Sequence, residues 1–99
     1  NIIKFSSIII GAFENDKLVG IARSLDDTVY AFIEDVLVNP KYRKQGIGTR
    51  MVKMLCEELI KKGVKIISCD TTKKLVPFYK SAAKFIYNPN NVALYIKNL

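Results

Sequence analysis

The residues best equipped for chemistry stand together in Asn39-Pro40-Lys41-Tyr42-Arg43-Lys44-Gln45-Gly46-Ile47-Gly48-Thr49. Before them runs the β-prone segment Val36-Leu37-Val38, and after them a stretch with helical periodicity. The string therefore reads as a strand, a basic turn and the start of a helix. Gly46 and Gly48 remove the Cβ atoms that would hold a ligand away from the backbone. The first amides of a helix have no internal partners, and together with the helix dipole they favour an anion. Lys41, Arg43, Lys44 and Arg50 add positive charge at the same point. This is chemistry suited to a phosphate or pyrophosphate. Two glycines after a strand can equally just end it and start the helix, and those two residues alone do not separate the readings. The string is not a Walker loop, which needs G-x-x-x-x-G-K-[ST]. It is not a dinucleotide fingerprint either: the third glycine is absent, and Ile66 and Ile67 stand where an acid should close the second strand.

Composition narrows the chemistry further. The chain has no histidine, which removes the commonest general base and the commonest metal ligand. Acid–base work falls to carboxylates, tyrosine, lysine, thiol or water. Cys56 and Cys69 have neither a metal spacing nor a disulfide framework, so free thiols in a reducing compartment are expected. As an acyl-carrying nucleophile Cys69 lacks any histidine to activate it. The net charge of +7 points to an anionic partner, either nucleic acid or a phosphorylated cofactor, unless the lysines serve solubility alone. No apolar run approaches the ~20 residues of a membrane span. No leader pattern opens the chain, so a cytoplasmic location is expected.

The elements that position these residues follow from patterning. Ile2, Ile3 and Phe5 read as the possible end of a helix. Ile8 to Glu14 and Leu18 to Leu25 read as a hairpin around Asn15-Asp16-Lys17. After the turn Asp26-Asp27-Thr28, a longer strand runs from Val29 to Val38, completing an antiparallel meander. A helix is expected from Ile47 to Lys62, with Ile47, Met51, Leu55 and Leu59 on its apolar face and Val52, Met54, Cys56 and Ile60 widening it. Gly63 ends it. Lys65 to Asp70 is a strand, placed parallel to Val29–Val38 by the usual right-handed crossover. Thr71-Thr72 reads as a cap, Val76 to Ala83 as a short helix with Pro77 in its first turn, and Phe85–Tyr87 with Val92–Lys97 as a closing hairpin. The fold class is α/β (α+β): a mixed, mostly antiparallel sheet with one parallel strand pair, flanked by helices. Residues 1–99 form a single domain.

Val38-x-Pro40-x-Tyr42-Arg43-x-x-Gly46-x-Gly48 resembles the acetyl-coenzyme A loop of the GNAT N-acetyltransferases. Arg43-Lys44-Gln45-Gly46-Ile47-Gly48 matches their [RQ]-x-x-G-x-[GA] signature. The order of elements agrees as well, so the resemblance covers nearly the whole chain. It implies a parallel pair that splays apart, with the cofactor's pantetheine arm bonded to the backbone of Val36, Leu37 and Val38. It implies a pyrophosphate held by the amides from Arg43 through Lys44, Gln45, Gly46, Ile47 and Gly48 to Thr49, with Thr72 at the cofactor arm. Val76-Pro77-Phe78-Tyr79-Lys80 is similar to the family's "PFY" helix, which makes Tyr79 the proton donor to the departing thiolate. A backbone N–H near Leu37 or Val38 would polarise the thioester carbonyl. Asp35-Val36-x-Val38 resembles the "DVxV" of arylalkylamine-type members, which makes Asp35 the candidate base. Glu34 and a water chain are the alternatives. Strand alternation points Glu34 and Asp35 to opposite faces unless a bulge intervenes.

The chain departs from the pattern in three places. The first strand and first helices that usually open such domains, and build much of the acceptor pocket, are shortened or missing. Thr72 stands where the family often has asparagine, and Lys84-Phe85 where it has Gly-Phe. The expected function is acetyl-CoA-dependent transfer of acetyl to the primary amine of a small molecule or peptide, without a metal; exposed strand edges in a short chain allow a homodimer. The rivals are a non-catalytic coenzyme A-binding or interaction domain of the same fold, and a basic nucleic-acid-binding domain, which has no recognised motif here.

Overall fold

The computed structural model describes residues 4–71, 73–88 and 93–97. Strands β1 (Ser6–Glu14), β2 (Lys17–Asp26) and β3 (Tyr30–Val38) form the antiparallel meander. A 3-10 turn (Pro40–Tyr42) leads to helix α1 (Ile47–Lys62), then β4 (Ile66–Asp70), a second 3-10 turn (Lys73–Leu75), α2 (Val76–Ala82), β5 (Ile86–Asn88) and β6 (Ala93–Lys97). The described strands make one six-stranded sheet in the order β1-β2-β3-β4-β6-β5. The expected mixed α/β sheet with one parallel pair, β3 with β4, is the observed one. No described helix is long and apolar enough to cross a membrane.

The first hairpin closes through Asn15, whose φ of +55° asparagine tolerates better than most residues. Ser6 and Ser7 belong to β1, so the helix ending expected near Phe5 gives way to extended chain; residues 1–3 lie outside the described ones. The N-cap of α2 is Leu75, after the 3-10 turn, and not Thr71; Thr72 lies outside the described residues. Asn88 ends β5, and residues 89–92, which join it to β6 in the expected hairpin, lie outside them too.

The core forms where α1 lies on the sheet. Met51, Val52, Leu55, Cys56 and Leu59 are buried against Ala22, Ala31, Ile33 and Ile67, and α2 adds Val76, Tyr79 and Ala82. Met54 and Ile60, expected on this face, are instead 48% and 38% exposed. The buried stripe of α1 is narrower than its sequence suggests, because the sheet and α2 cover only part of the helix surface. On the opposite side of the sheet Ile9, Tyr30, Phe32 and Leu37 stand exposed.

Two irregularities set side-chain direction. Arg23 pairs with Asp35 but Ser24 with Ile33, so Glu34 is an extra residue in β3. This bulge reverses the alternation: Ala31 and Ile33 face α1 before it, and Val36 and Val38 do so after it. Val19 is the corresponding extra residue of β2, opposite the Ala12–Phe13 step.

The far end of α1 is fastened by charge. The Asp26 side chain is fully buried; its Oδ2 accepts from Lys62 Nζ at 2.8 Å and its Oδ1 from the Thr28 amide at 2.9 Å. Replacing Lys62 with methionine leaves a buried carboxylate without its counter-charge. We expect a loss of about 3–5 kcal/mol in urea denaturation. Lys61→Met, which breaks only the exposed contact with Glu58, should change stability little.

Candidate functional site

The parallel ladder holds only Tyr30–Phe32 against Ile66–Ser68. Beyond it β3 continues to Val38 without β4 beside it, and the strands part. A cleft of about 450 Å³ opens at this fork. One wall is Val36, Leu37 and Val38, and the floor is the start of α1 with Gly46, Ile47, Gly48 and Thr49. Arg43 and Lys44 supply charge at one end, while Leu75, Phe78 and Tyr79 close the other side.

The loop's sequence explains its shape. Asn39 Oδ1 accepts from the Lys41 amide at 3.0 Å, Pro40 starts the 3-10 turn, and the Tyr42 amide bonds back to the Asn39 carbonyl at 2.8 Å. Arg43 Nε donates to the Val38 carbonyl at 3.3 Å, tying the loop to the strand end. Lys44 and Gly46 both have positive φ, +63° and +78°. Gly46 is the N-cap of α1 and offers no side-chain oxygen to the helix. The first helical bond runs from the Arg50 amide to the Gly46 carbonyl at 3.0 Å, so the amides of Ile47, Gly48 and Thr49 precede the helical ladder at the cleft. An uncapped helix start among basic side chains can hold an anion.

Tyr79 is 8% exposed and lines the cleft. Its ring lies edge-to-face with Phe78 at 4.9 Å and with Phe85 at 5.9 Å. Its hydroxyl makes no hydrogen bond among the described residues. Burial, and secondarily Cys69, raises its pKa above the usual value of 10.0. It is therefore a protonated phenol at neutral pH, able to donate.

The structure brings most of the expected residues together. Val36, Leu37, Val38, Arg43, Lys44, Gly46, Ile47, Gly48, Thr49 and Tyr79 all line the cleft. Gln45 instead lines a second groove of about 330 Å³ between β1 and α1. Asp35 does not line the cleft. It lies on the sheet face away from α1, where Arg23 Nε and Nη2 both reach its Oδ2 at 2.9 Å. Thr72 lies outside the described residues. Tyr42, Leu75 and Phe78 also line the cleft. The tyrosine within the basic string and the phenylalanine beside Tyr79 were visible in the sequence, but nothing in it marks Leu75.

Both cysteines are buried, and burial pushes their thiols from 9.0 up to about 12. Neither is a nucleophile at neutral pH. At pH 8 iodoacetamide should leave both unmodified in the folded chain and alkylate both after unfolding, as read by mass. The folded thiols hold protons that the unfolded chain releases. Their contribution to stability is therefore complete below pH 9 and falls as the pH rises towards 12.

Residues 2–85 match the model of the Acetyltransferase (GNAT) family. The chain is similar to GCN5-related N-acetyltransferase 2, chloroplastic, of Arabidopsis thaliana, with 36% identity over 69 residues, covering 69% of this chain and 27% of that one. It is 34% identical over 95 residues to the uncharacterized N-acetyltransferase ycf52 of Pyropia yezoensis, covering 91% of this chain and 54% of that one. It thus spans about a quarter to about half of the length of these relatives. In fold it is similar to an aminoglycoside 6'-N-acetyltransferase complexed with coenzyme A, with TM-score 0.73, 18% identity, 92% of this chain and 72% of that one.

Proposed function

Because the chain belongs to the Acetyltransferase (GNAT) family, we propose that it is an acetyl-coenzyme A-dependent N-acetyltransferase that passes acetyl directly to a primary amine in a ternary complex. One observation carries the reading: a single cleft joins the uncapped start of α1 at one end to a buried, protonated tyrosine at the other. Acetyl-coenzyme A would bring the activated acetyl group, and the chain supplies the rest. The amides of Ile47, Gly48 and Thr49, with Arg43 and Lys44, hold the pyrophosphate. The backbone of Val36–Val38 holds the pantetheine arm as an added strand would be held. Tyr79 gives its proton to the departing thiolate. Asp35 is engaged by Arg23, and no carboxylate lines the cleft among the described residues. We therefore assign removal of the amine's proton to water, and give Asp35 the task of holding the bulged strand. The free thiols suit a reducing compartment, which we take to be the cytoplasm.

The same lack of a cleft carboxylate favours a second reading, a domain that binds coenzyme A without turnover. Thermal melting tests the first step. Acetyl-coenzyme A at a hundredfold excess over Kd should raise the wild-type midpoint by roughly 10 °C, and Arg43→Ala should shift much less. No shift at millimolar ligand sinks both readings. Binding without thiol release across a panel of primary amines selects the second.

A further inference from the structure

The two glycines of the cradle do different work. Nothing lies within 4 Å of where a Cβ would stand on Gly46; its requirement is the backbone, at φ +78°. Gly48 has no positive φ and is buried. A Cβ there would stand 3.2 Å from both Cε1 and Cζ of Phe78 and 3.6 Å from Val38 Cγ2. The space beside Gly48 is thus filled by the protein itself. The ring that fills it stands edge-on to Tyr79 at 4.9 Å and lines the same cleft.

We infer that Gly48 is glycine in this chain to admit the Phe78 ring, and that Phe78 is a positioning residue which sets the Tyr79 hydroxyl relative to the anion cradle. This rests on the acetyltransferase reading for its catalytic half only. The ring borders the cleft on its open side and is held on the others. Gly48 bounds it on one side and Tyr79 on another, and its own backbone sits in the first turns of α2 behind Pro77, where Ser81 Oγ bonds its carbonyl at 2.7 Å. A methyl group at position 48 pushes the ring, the ring pushes Tyr79, and the phenol leaves the line to the leaving group. The signature [RQ]-x-x-G-x-[GA] admits alanine at this position; in this chain a Cβ there meets Phe78 at 3.2 Å, so the ring must shift to accept it.

The sign of the effect makes the test. Alanine is ordinarily the better helix former, so Gly48→Ala should stabilise an unobstructed helix. Here it should lower the melting midpoint by roughly 4–8 °C. Phe78→Leu removes the obstruction, and in that background Gly48→Ala should leave the midpoint unchanged or raise it. Gly48→Ala should also lower kcat on the order of tenfold or more, and Gly48→Ala/Phe78→Leu should regain part of that kcat. A wild-type background that accepts alanine without a lower midpoint overturns the inference. So does an equal loss of coenzyme A affinity in both backgrounds, which would mean that the missing Cβ at position 48, and not only its amide, serves the ligand. Coupling in the melts without coupling in kcat overturns the positioning role. If the wild-type chain acetylates no amine, the proposed function fails, and the melts still decide whether Gly48 and Phe78 are matched.

Discussion

Tyr79→Phe is expected to lower kcat by about 10²- to 10⁴-fold, the usual contribution of a positioned proton donor, while coenzyme A affinity and the melting midpoint stay close to wild type. The substitution removes one oxygen and nothing else. The ring keeps its edge contacts with Phe78 and Phe85. The hydroxyl has no partner to lose among the described residues, so its deletion leaves no buried group unpaired. The pH profile gives a second check. The donor acts as the neutral phenol, and burial raises its pKa above 10.0. Activity should therefore show no alkaline limb from this group near neutral pH, and should fall as the pH rises through its raised pKa. A phenylalanine variant with wild-type kcat would move the proton donor elsewhere. Loss of coenzyme A binding in that variant would make Tyr79 a ligand-holding residue instead.

Gly46→Val should all but abolish coenzyme A binding. A β-branched residue at φ +78° costs roughly 1–2 kcal/mol and forces the turn to relax. Relaxation redirects the first amides of α1. If two charge-assisted hydrogen bonds worth about 1.5–3 kcal/mol each are lost, affinity falls on the order of 10²- to 10⁴-fold. Gly46→Asn is the control, because asparagine tolerates the left-handed region; it should retain most of the affinity. Calorimetric titration of both variants with coenzyme A reads the difference, and equal affinities would show that the glycine's conformation does not build the cradle.

The parts of this architecture legible in the sequence were those governed by local periodicity. Alternation and turn residues place the three meander strands to within two residues of the observed ends, and α1 lies where its repeat and Gly63 put it. The glycine turn was legible because its glycines, its proline and its charges are all consecutive. What escaped depends on contacts between distant segments. The bulge at Glu34 exists only as a mismatch between β2 and β3, so no reading of β3 alone fixes which way Asp35 faces. Arg23, twelve residues earlier, carries no mark that it will occupy that carboxylate. Met54 and Ile60 fall outside the core because the sheet covers less of α1 than an apolar stripe implies. The close approach of Phe78 to Gly48 links residues thirty positions apart, and a G-x-G string gives no hint of it.

The three-rung ladder between β3 and β4 also partitions the molecule's stability. On one side, β1 and β2 are laced together over nine pairs and β2 and β3 over seven, with α1 packed on them; on the other, β4, β5 and β6 form a smaller ribbon, and α2 packs against α1. Such a structure opens in units rather than all at once. Amide deuteration should be slowest in β2 and along the buried face of α1, and much faster in the β4–β6 ribbon. The β3 amides that point into the fork have no strand beside them, so they should exchange early in the free chain. A ligand lying in the fork would bridge the two units, and its occupancy should appear as slowed exchange on both banks at once, before any product is measured.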